Sequence, residues 1–222
     1  RAFIYNWNGT AWQLEQNIYN GYSDFGCSVD MNAAGDRIVV GAINSNRALT
    51  YRLMKYLYYE NFSDDDGKGW SWNYYSPPND NNWSLVKVGN PDVNGSYDHC
   101  KVINGYLQWR DINGHPSKRV DWYSNTINGS ATSVSISIAY SIHSYTTLTA
   151  YYQIDGGTWI QFGNASSGSN LFSATGLSYS SSIRLKVEGY TGNSSSYYGY
   201  IDDITISGIT NSSTYNIWEI DS

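Results

Sequence analysis

Charge is scarce in this sequence. Only 14% of its 222 residues are Asp, Glu, Lys or Arg, against about a quarter in an ordinary soluble domain. Solubility must therefore come from Ser, Thr, Asn and Gly. Positive charge is scarcer still. The 13 Lys and Arg form no basic stripe and the net charge is −6, which argues against a nucleic-acid partner. No apolar run approaches the length of a membrane-spanning helix, so no membrane span is expected. Cysteine is nearly absent. Cys27 and Cys100 make neither a disulfide scaffold nor a metal cluster, and two buried thiols are expected in preference to a bridge. Histidine is limited to His99, His115 and His143, in unrelated segments. With no Gly-x-Ser-x-Gly elbow, no His-Glu-x-x-His and no phosphate loop, the expectation is that the chain is not an enzyme. A distant carboxylate pair of the glycosidase kind stays open.

Aromatic residues are what the sequence has in excess. They reach 16%, with 22 Tyr and 9 Trp but only 5 Phe. Tyr and Trp tolerate one wet end and so suit half-exposed sheets and contact surfaces. Asn-x-Ser/Thr sequons occur at Asn8, Asn61, Asn82, Asn94, Asn128, Asn164, Asn193 and Asn211. They are candidate N-glycosylation sites, modestly more than composition alone gives. The chain opens on Arg1 without a leader, as a mature product or part of something longer would. Together these features describe a secreted, cell-surface or virion-surface protein.

Residues 1–50 read as short strands separated by turns: Ala2 to Trp7, the turn Asn8-Gly9, Ala11 to Ile18, Phe25 to Met31 and Arg37 to Ala42. In the third, Phe25, Cys27, Val29 and Met31 alternate onto one face. The segments Ala2 to Leu14, Asp24-Phe-Gly-Cys-Ser-Val-Asp and Gly35-Asp-Arg-Ile-Val-Val-Gly-Ala resemble one FG-GAP repeat, the blade of integrin-like β-propellers. The resemblance implies a single blade without the aspartate-rich calcium loop, since Asp30-Met-Asn-Ala-Ala-Gly-Asp stands there instead. A lone blade leaves sheet faces uncovered and needs a partner. Residues 47–59 fit helical and strand spacing alike, with neighbouring strands favouring strand. The stretch 51–58 is read as a connector.

From Glu60 the pattern is one of many short alternating strands. Val134, Ile136, Ile138, Tyr140 and Ile142 share one face of a strand and serines line the other. Ile183, Leu185 and Val187 alternate with Arg184, Lys186 and Glu188. The acidic turn Asp64 to Asp66 reads as a solvated loop. An all-β fold follows: an antiparallel jelly-roll β-sandwich over 59–208, preceded by a small four-stranded propeller-blade-like meander. Residues 209–222 are a tail, linker or the first strand of a following unit. The opening Glu60-Asn-Phe with Gly69-Trp70, Tyr151-Tyr-Gln-Ile-Asp-Gly-Gly-Thr-Trp, and the closing Tyr200-Ile-Asp-Asp-Ile-Thr-Ile resemble jelly-roll modules of secreted proteins, MAM-like domains and carbohydrate-binding modules among them. That resemblance implies one structural calcium held by Glu60, Asp202 and Asp203. The alternative is one aspartate capping a bulge while the other faces water.

A hairpin through Asp155-Gly156-Gly157 sets Gln153 opposite Trp159 and Tyr151 opposite Gln161. Tyr152, Ile154, Ile160 and Phe162 then point to the core, and Tyr151, Gln153, Trp159 and Gln161 share the outer face. Rings beside amides are what a sugar needs: C–H groups stack on the ring and hydroxyls bond the amides. The serine-lined face from Ser133 to Ser141 is expected beside this platform, with Trp109, Trp122 and Tyr123 as weaker candidates. The competing expectation is that Trp159 simply packs on a loop or on the first unit. Two functions stay open: a non-catalytic adhesion or recognition module binding surface glycans or extracellular proteins, and a self-assembling subunit of a surface filament, virion or extracellular assembly.

Overall fold

The structure, a computed structural model, describes residues 1–222 apart from 8, 34–36, 73, 80–81, 94–96, 113–117, 144, 211–214 and 221–222. Side chains of 6, 15, 52–55, 209–210 and 215–220 also lie outside the description. The strands are β1 (Ala2–Trp7), β2 (Trp12–Ile18), β3 (Phe25–Met31), β4 (Arg37–Ala42), β5 (Arg47–Glu60), β6 (Gly69–Ser71), β7 (Tyr74–Ser76), β8 (Trp83–Val88), β9 (His99–Ile103) and β10 (Tyr106–Arg110). They continue as β11 (Arg119–Ser124), β12 (Ile127–Asn128), β13 (Ala131–Ile142), β14 (Thr146–Ile154), β15 (Ile160–Ala165), β16 (Gly168–Tyr179), β17 (Ser182–Thr191), β18 (Tyr198–Thr210) and β19 (Tyr215–Ile220). Helix among the described residues is confined to one 3-10 turn, Ile43–Ser45. The chain divides into two compact units, 1–56 with 213–222, and 57–212.

In the smaller unit β1 and β2 form a separate two-stranded ladder, with Trp7 opposite Trp12. β3 pairs β4, β4 pairs β5, and β19 pairs β5. The four early strands thus divide between two ladders. The segment 47–59 is strand, and part of the C-terminal segment read as a tail is a strand on β5. Ile38, Val40 and Ala42 of β4 are buried with Ile4, Ile18, Phe25 and Tyr51. On β3 only Phe25 joins them. Cys27, Val29 and Met31 are exposed, because the register slips between Phe25 and Val29. The slip begins at Gly26, whose φ is +93° and where a Cβ would strike the Arg1 backbone. Both cysteines are free; Cys100 is buried, but Cys27 is exposed, contrary to the expected pair of buried thiols.

The larger unit is a two-layered antiparallel sandwich. In one layer β18 pairs β13 and β10, β13 pairs β16, and β10 leads through β9 and β6 to β7. The other layer runs β15-β14-β17-β11-β8, with β12 on β17. Val134, Ile136 and Ile138 from the first layer meet Ile183, Leu185 and Val187 from the second in one core, each at most 1% exposed. Trp83, Trp109 and Trp122 are buried there too. Trp109, on β10, reaches across the layers: its Nε1 donates to Val120 O at 2.8 Å. Opposite Val120 stands Gly189 of β17, and any Cβ there would lie 2.5 Å from Trp109 Cε2. The indole fits only because that position has no side chain.

The acidic turn differs from expectation. Asp65 is buried at 3% exposure and accepts from the Trp83 indole at 2.8 Å and the Asn79 amide at 2.6 Å. Asp66 accepts from the Asn104 amide at 2.8 Å. Asp65 thus ties a loop to the core, since a buried indole donor needs an acceptor, while the exposed Asp66 bonds a second loop. The serine-lined strand β13 also lies elsewhere than expected. It pairs β16 and β18, in the layer that does not contain the β14–β15 hairpin. Consecutive strands β13 and β14 change layers, so their outer faces are not neighbours.

Candidate functional site

The outward positions of β11, β17 and β14 converge on one surface, because residues two apart share a side of a strand. β11 contributes Arg119, Asp121 and Tyr123; β17 contributes Arg184, Lys186 and Glu188; β14 contributes Tyr151 and Gln153. Antiparallel register sets Asp121 opposite Glu188, Tyr123 and Tyr151 on either side of Lys186, and Gln153 opposite Arg184. Gln161 of β15 lies opposite Tyr151, after a bulge between Ala150 and Tyr151. Tyr151, Gln153 and Trp159 are half-buried and Gln161 is exposed. Tyr152, Ile154 and Phe162 pack on the core. Ile160 does not: it is 45% exposed, because β15 is the edge strand and pairs only β14.

Lys186 is the centre of this surface. Its Nζ lies 4.2 Å from the Tyr151 ring centroid and 5.1 Å from that of Trp159, and it donates to Glu188 Oε1 at 2.8 Å. Trp159 meets Tyr123 edge-on at 5.8 Å. Arg184 stands over Tyr123 with its guanidinium carbon 5.0 Å from the ring centroid, and its Nε donates to Ser124 O at 3.0 Å. The Tyr151 hydroxyl donates to Glu188 Oε2 at 3.2 Å. Arg119 bridges the carboxylates, 2.7 Å from Asp121 and 3.1 Å from Glu188. Gln153 spends its Nε2 on Gly157 O at 2.7 Å, which closes the turn.

Electrostatics follow from this crowding. Burial raises the Asp121 pKa, opposed by the hydrogen bond and charge of Arg119. Burial works against the Arg119 charge, but its bond to Asp121 and the fields of Asp121 and Glu188 outweigh it, so its pKa is raised. Burial, then the nearby carboxylates, raises the phenol pKa of Tyr151 and of Tyr123. Both phenols therefore stay protonated donors at neutral pH. Among the weaker candidates, Trp109 and Trp122 are core residues at 0% exposure, whereas Tyr123 belongs to this surface. Arg119, Asp121, Lys186 and Glu188 were absent from the sequence-based site. Their signal was the polar alternation along β11 and β17.

The residues expected to hold calcium lie apart from this face. Asp203 has a left-handed φ of +44°, at a slip in the β13–β18 register between Ser137 and Ala139. Tyr59 Oη donates to Asp203 Oδ1 at 3.5 Å. Glu60 is buried and accepts from the Phe62 amide at 2.7 Å. Asp202 Oδ1 is buried without a hydrogen-bond partner. Burial raises the Asp202 pKa to about 6, the Asp203 amide opposing and the Asp203 charge adding to the rise. An orphaned carboxylate oxygen fits a hard cation. Among the described residues no three His, Cys, Asp or Glu side chains gather as a metal cluster. Of the sequons, Asn128, Asn164 and Asn193 are exposed, while Asn61 and Asn82 are partly covered. Asn8, Asn94 and Asn211 lie outside the described residues.

No protein-family model matches the chain, and no curated protein does. The FG-GAP-like and MAM-like resemblances therefore rest on their motif residues alone. Among solved structures the chain is similar to a family 61 carbohydrate-binding module in complex with β-1,4-galactotriose, at 10% identity and TM-score 0.39, covering 58% of this chain and 83% of that one. It is similar to a family 4 module at 14% identity and TM-score 0.38, covering 56% and 85%. It also overlaps the Clostridium thermocellum xylanase 10B modules complexed with xylohexaose, at 11% identity and TM-score 0.41, covering 72% of this chain and 29% of that one.

Proposed function

We propose that this chain is a non-catalytic recognition module, secreted or displayed on a cell or virion surface, that binds glycans on the outer face of the β15-β14-β17-β11-β8 layer. The observation that carries the reading is the row Tyr123, Trp159, Lys186 and Tyr151. Three aromatic rings stand at the surface and are fixed by contacts with one another, with Lys186 and with Arg184. Sugar rings stack on such aromatic faces, while Gln161 and the half-buried Glu188 carboxylate supply polar partners for hydroxyls. Rings already held in place lose little freedom on binding.

A glycan array followed by calorimetry on its hits tests the reading. Trp159→Ala should weaken binding about tenfold or more, the loss of roughly 1.4 kcal/mol or more of stacking, with an unchanged thermal melt. An empty array, with Trp159→Ala leaving every measured interaction intact, defeats it.

A second reading, self-assembly into a filament, virion or extracellular array, is favoured by a different observation. On the β1–β2 ladder Phe3, Tyr5, Trp7, Trp12 and Leu14 are each at least 50% exposed, an apolar face of the kind that marks protein contacts. Analytical ultracentrifugation separates the two: concentration-dependent association lost in Trp12→Ser supports assembly, and a monomer at all concentrations refutes it.

A further inference from the structure

The charges on the aromatic face do not balance locally, and the imbalance has a fixed position. Asp121 and Glu188 are both engaged: Arg119 reaches both, and Lys186 reaches Glu188. Arg184 is the remaining cation of the face, and among the described residues no acidic side chain pairs with it. It is nevertheless held in place, by its Nε bond to Ser124 O at 3.0 Å and by the Tyr123 ring 5.0 Å beneath it. Only one of the five guanidinium N–H donors is spent in this way. The terminal nitrogens form a planar fork matched to the two oxygens of a carboxylate.

The fork lies next to the stacking surface. Tyr123 touches both Arg184 and Trp159, at 5.0 and 5.8 Å from its ring centre. A sugar ring resting on the Trp159–Tyr123 pair would present an exocyclic group to Arg184. Neutral hydroxymethyl groups gain little from an unpaired guanidinium. A uronic-acid carboxylate gains a charge-assisted, bidentate bond. The chain as a whole is acidic, with net charge −6, so general attraction of polyanions is not available to it. Selection of an acidic sugar has to be local.

We infer that the face is specific for uronic-acid-containing glycans, with Arg184 reading the carboxylate while Trp159 and Tyr123 carry the ring. This rests on the glycan reading above. The test is calorimetric titration of the intact chain with a panel of uronic-acid oligosaccharides, oligogalacturonate among them, and of the same oligosaccharides after carboxyl reduction. The acidic forms should bind about tenfold tighter than their reduced counterparts. Arg184→Gln should abolish that preference, so that acidic and reduced forms bind with equal affinity. Arg184→Lys, which keeps the charge without the fork, should retain only part of the preference. Trp159→Ala should remove both.

Reduced forms binding as tightly as acidic ones, or a preference that survives in Arg184→Gln, overturn the inference and leave the glycan reading standing. A sulfated, uronate-free glycan binding tighter than every uronate also overturns it, because the guanidinium fork, which takes tetrahedral oxyanions bidentately as well, would then be reading sulfate and not a carboxylate. If nothing on the panel binds in either form, the inference is overturned, and the glycan array alone decides the broader glycan reading.

Discussion

Gly189→Ala should be among the most damaging single-methyl additions in the larger unit, because the sandwich is closed by an indole lying on that glycine. The new Cβ would sit 2.5 Å from Trp109 Cε2, where ordinary contact begins near 3.4 Å. The ring must therefore retreat by about 0.9 Å. Doing so pulls Nε1 off Val120 O, now 2.8 Å away, and strands a buried donor. Overpacking costs about 1–3 kcal/mol and an unsatisfied buried donor about 1–3 kcal/mol, so a loss near 4 kcal/mol is expected. For a domain of this size that corresponds to a fall in Tm of roughly 8–16 °C. Thermal and urea melts followed by tryptophan fluorescence measure it. The decisive arm is the Trp109→Leu background, already destabilised by about 3 kcal/mol. With the indole gone, adding Gly189→Ala should cost less than about 1 kcal/mol, a coupling that unrelated sites do not show. A single variant within 1 kcal/mol of the parent, or an equal cost in both backgrounds, would refute the layer packing from which the outward face is deduced.

Asp65→Ala removes the acceptor of the Trp83 indole and the Asn79 amide, and should cost about 1–3 kcal/mol in a urea melt, chiefly from the buried indole; a neutral result would mean that the indole finds another partner. Asp155, exposed on the hairpin turn, accepts from the Ser180, Ser181 and Ser182 amides, which hold its pKa well below the usual carboxylate range. The stability it contributes should be complete above about pH 4 and disappear only in strong acid, while Asp155→Asn should melt lower at pH 7 and lose that acid dependence; identical pH–stability curves for the two proteins would contradict this. Asp202 behaves oppositely: its folded pKa, about 6, exceeds the unfolded value near 3.9, so stability falls as pH rises from about 4 to about 6. In calcium-free buffer at pH 7 Asp202→Asn should therefore melt above the parent. Added calcium should raise the Tm of the parent but not of the variant, and a parent melt indifferent to both calcium and chelator would remove the calcium that the jelly-roll resemblance implies.

The sequence disclosed the layers because alternation is a local property. Val134, Ile136 and Ile138, and Ile183, Leu185 and Val187, are buried rows legible two residues at a time. The Tyr151–Gln161 pairing was legible for the same reason, since a turn fixes the register beside it. What sequence could not show was which strands meet at longer range. Ser133 to Ser141 looked like a neighbour of the hairpin because it precedes β14 in the chain, yet it belongs to the other layer. Asp65 looked solvated because nothing local announces that the indole of Trp83 lies against it. The alternation of Arg184, Lys186 and Glu188 with Ile183, Leu185 and Val187 was legible, but their meeting with Tyr123, Tyr151 and Trp159 depends on β17 lying between β11 and β14. That order is a product of topology, not of any one segment.

The face is hard to explain as a device for stability. A chain with so little charge places Arg119, Asp121, Lys186 and Glu188 in contact on one sheet, three of the contacts being ion pairs at 2.7–3.1 Å. Asp121 is 1% exposed and Lys186 8%, so both have given up most of their hydration. Removing charges from water costs about as much as their pairing returns, and an apolar cluster of equal volume would serve the fold as well or better. What the charged cluster adds is position. Lys186 is held by Glu188 and thereby pins Tyr151 and Trp159; Arg119 holds the carboxylates of Asp121 and Glu188 at a fixed separation. Fixed aromatic planes beside fixed donors and acceptors are costly for folding and favourable for a rigid ligand, because the ordering is complete before the ligand arrives. On that argument the place to look for function is this face. Lys186→Met, which frees the rings but leaves Glu188 paired with Arg119, should therefore damage binding far more than it damages the melt.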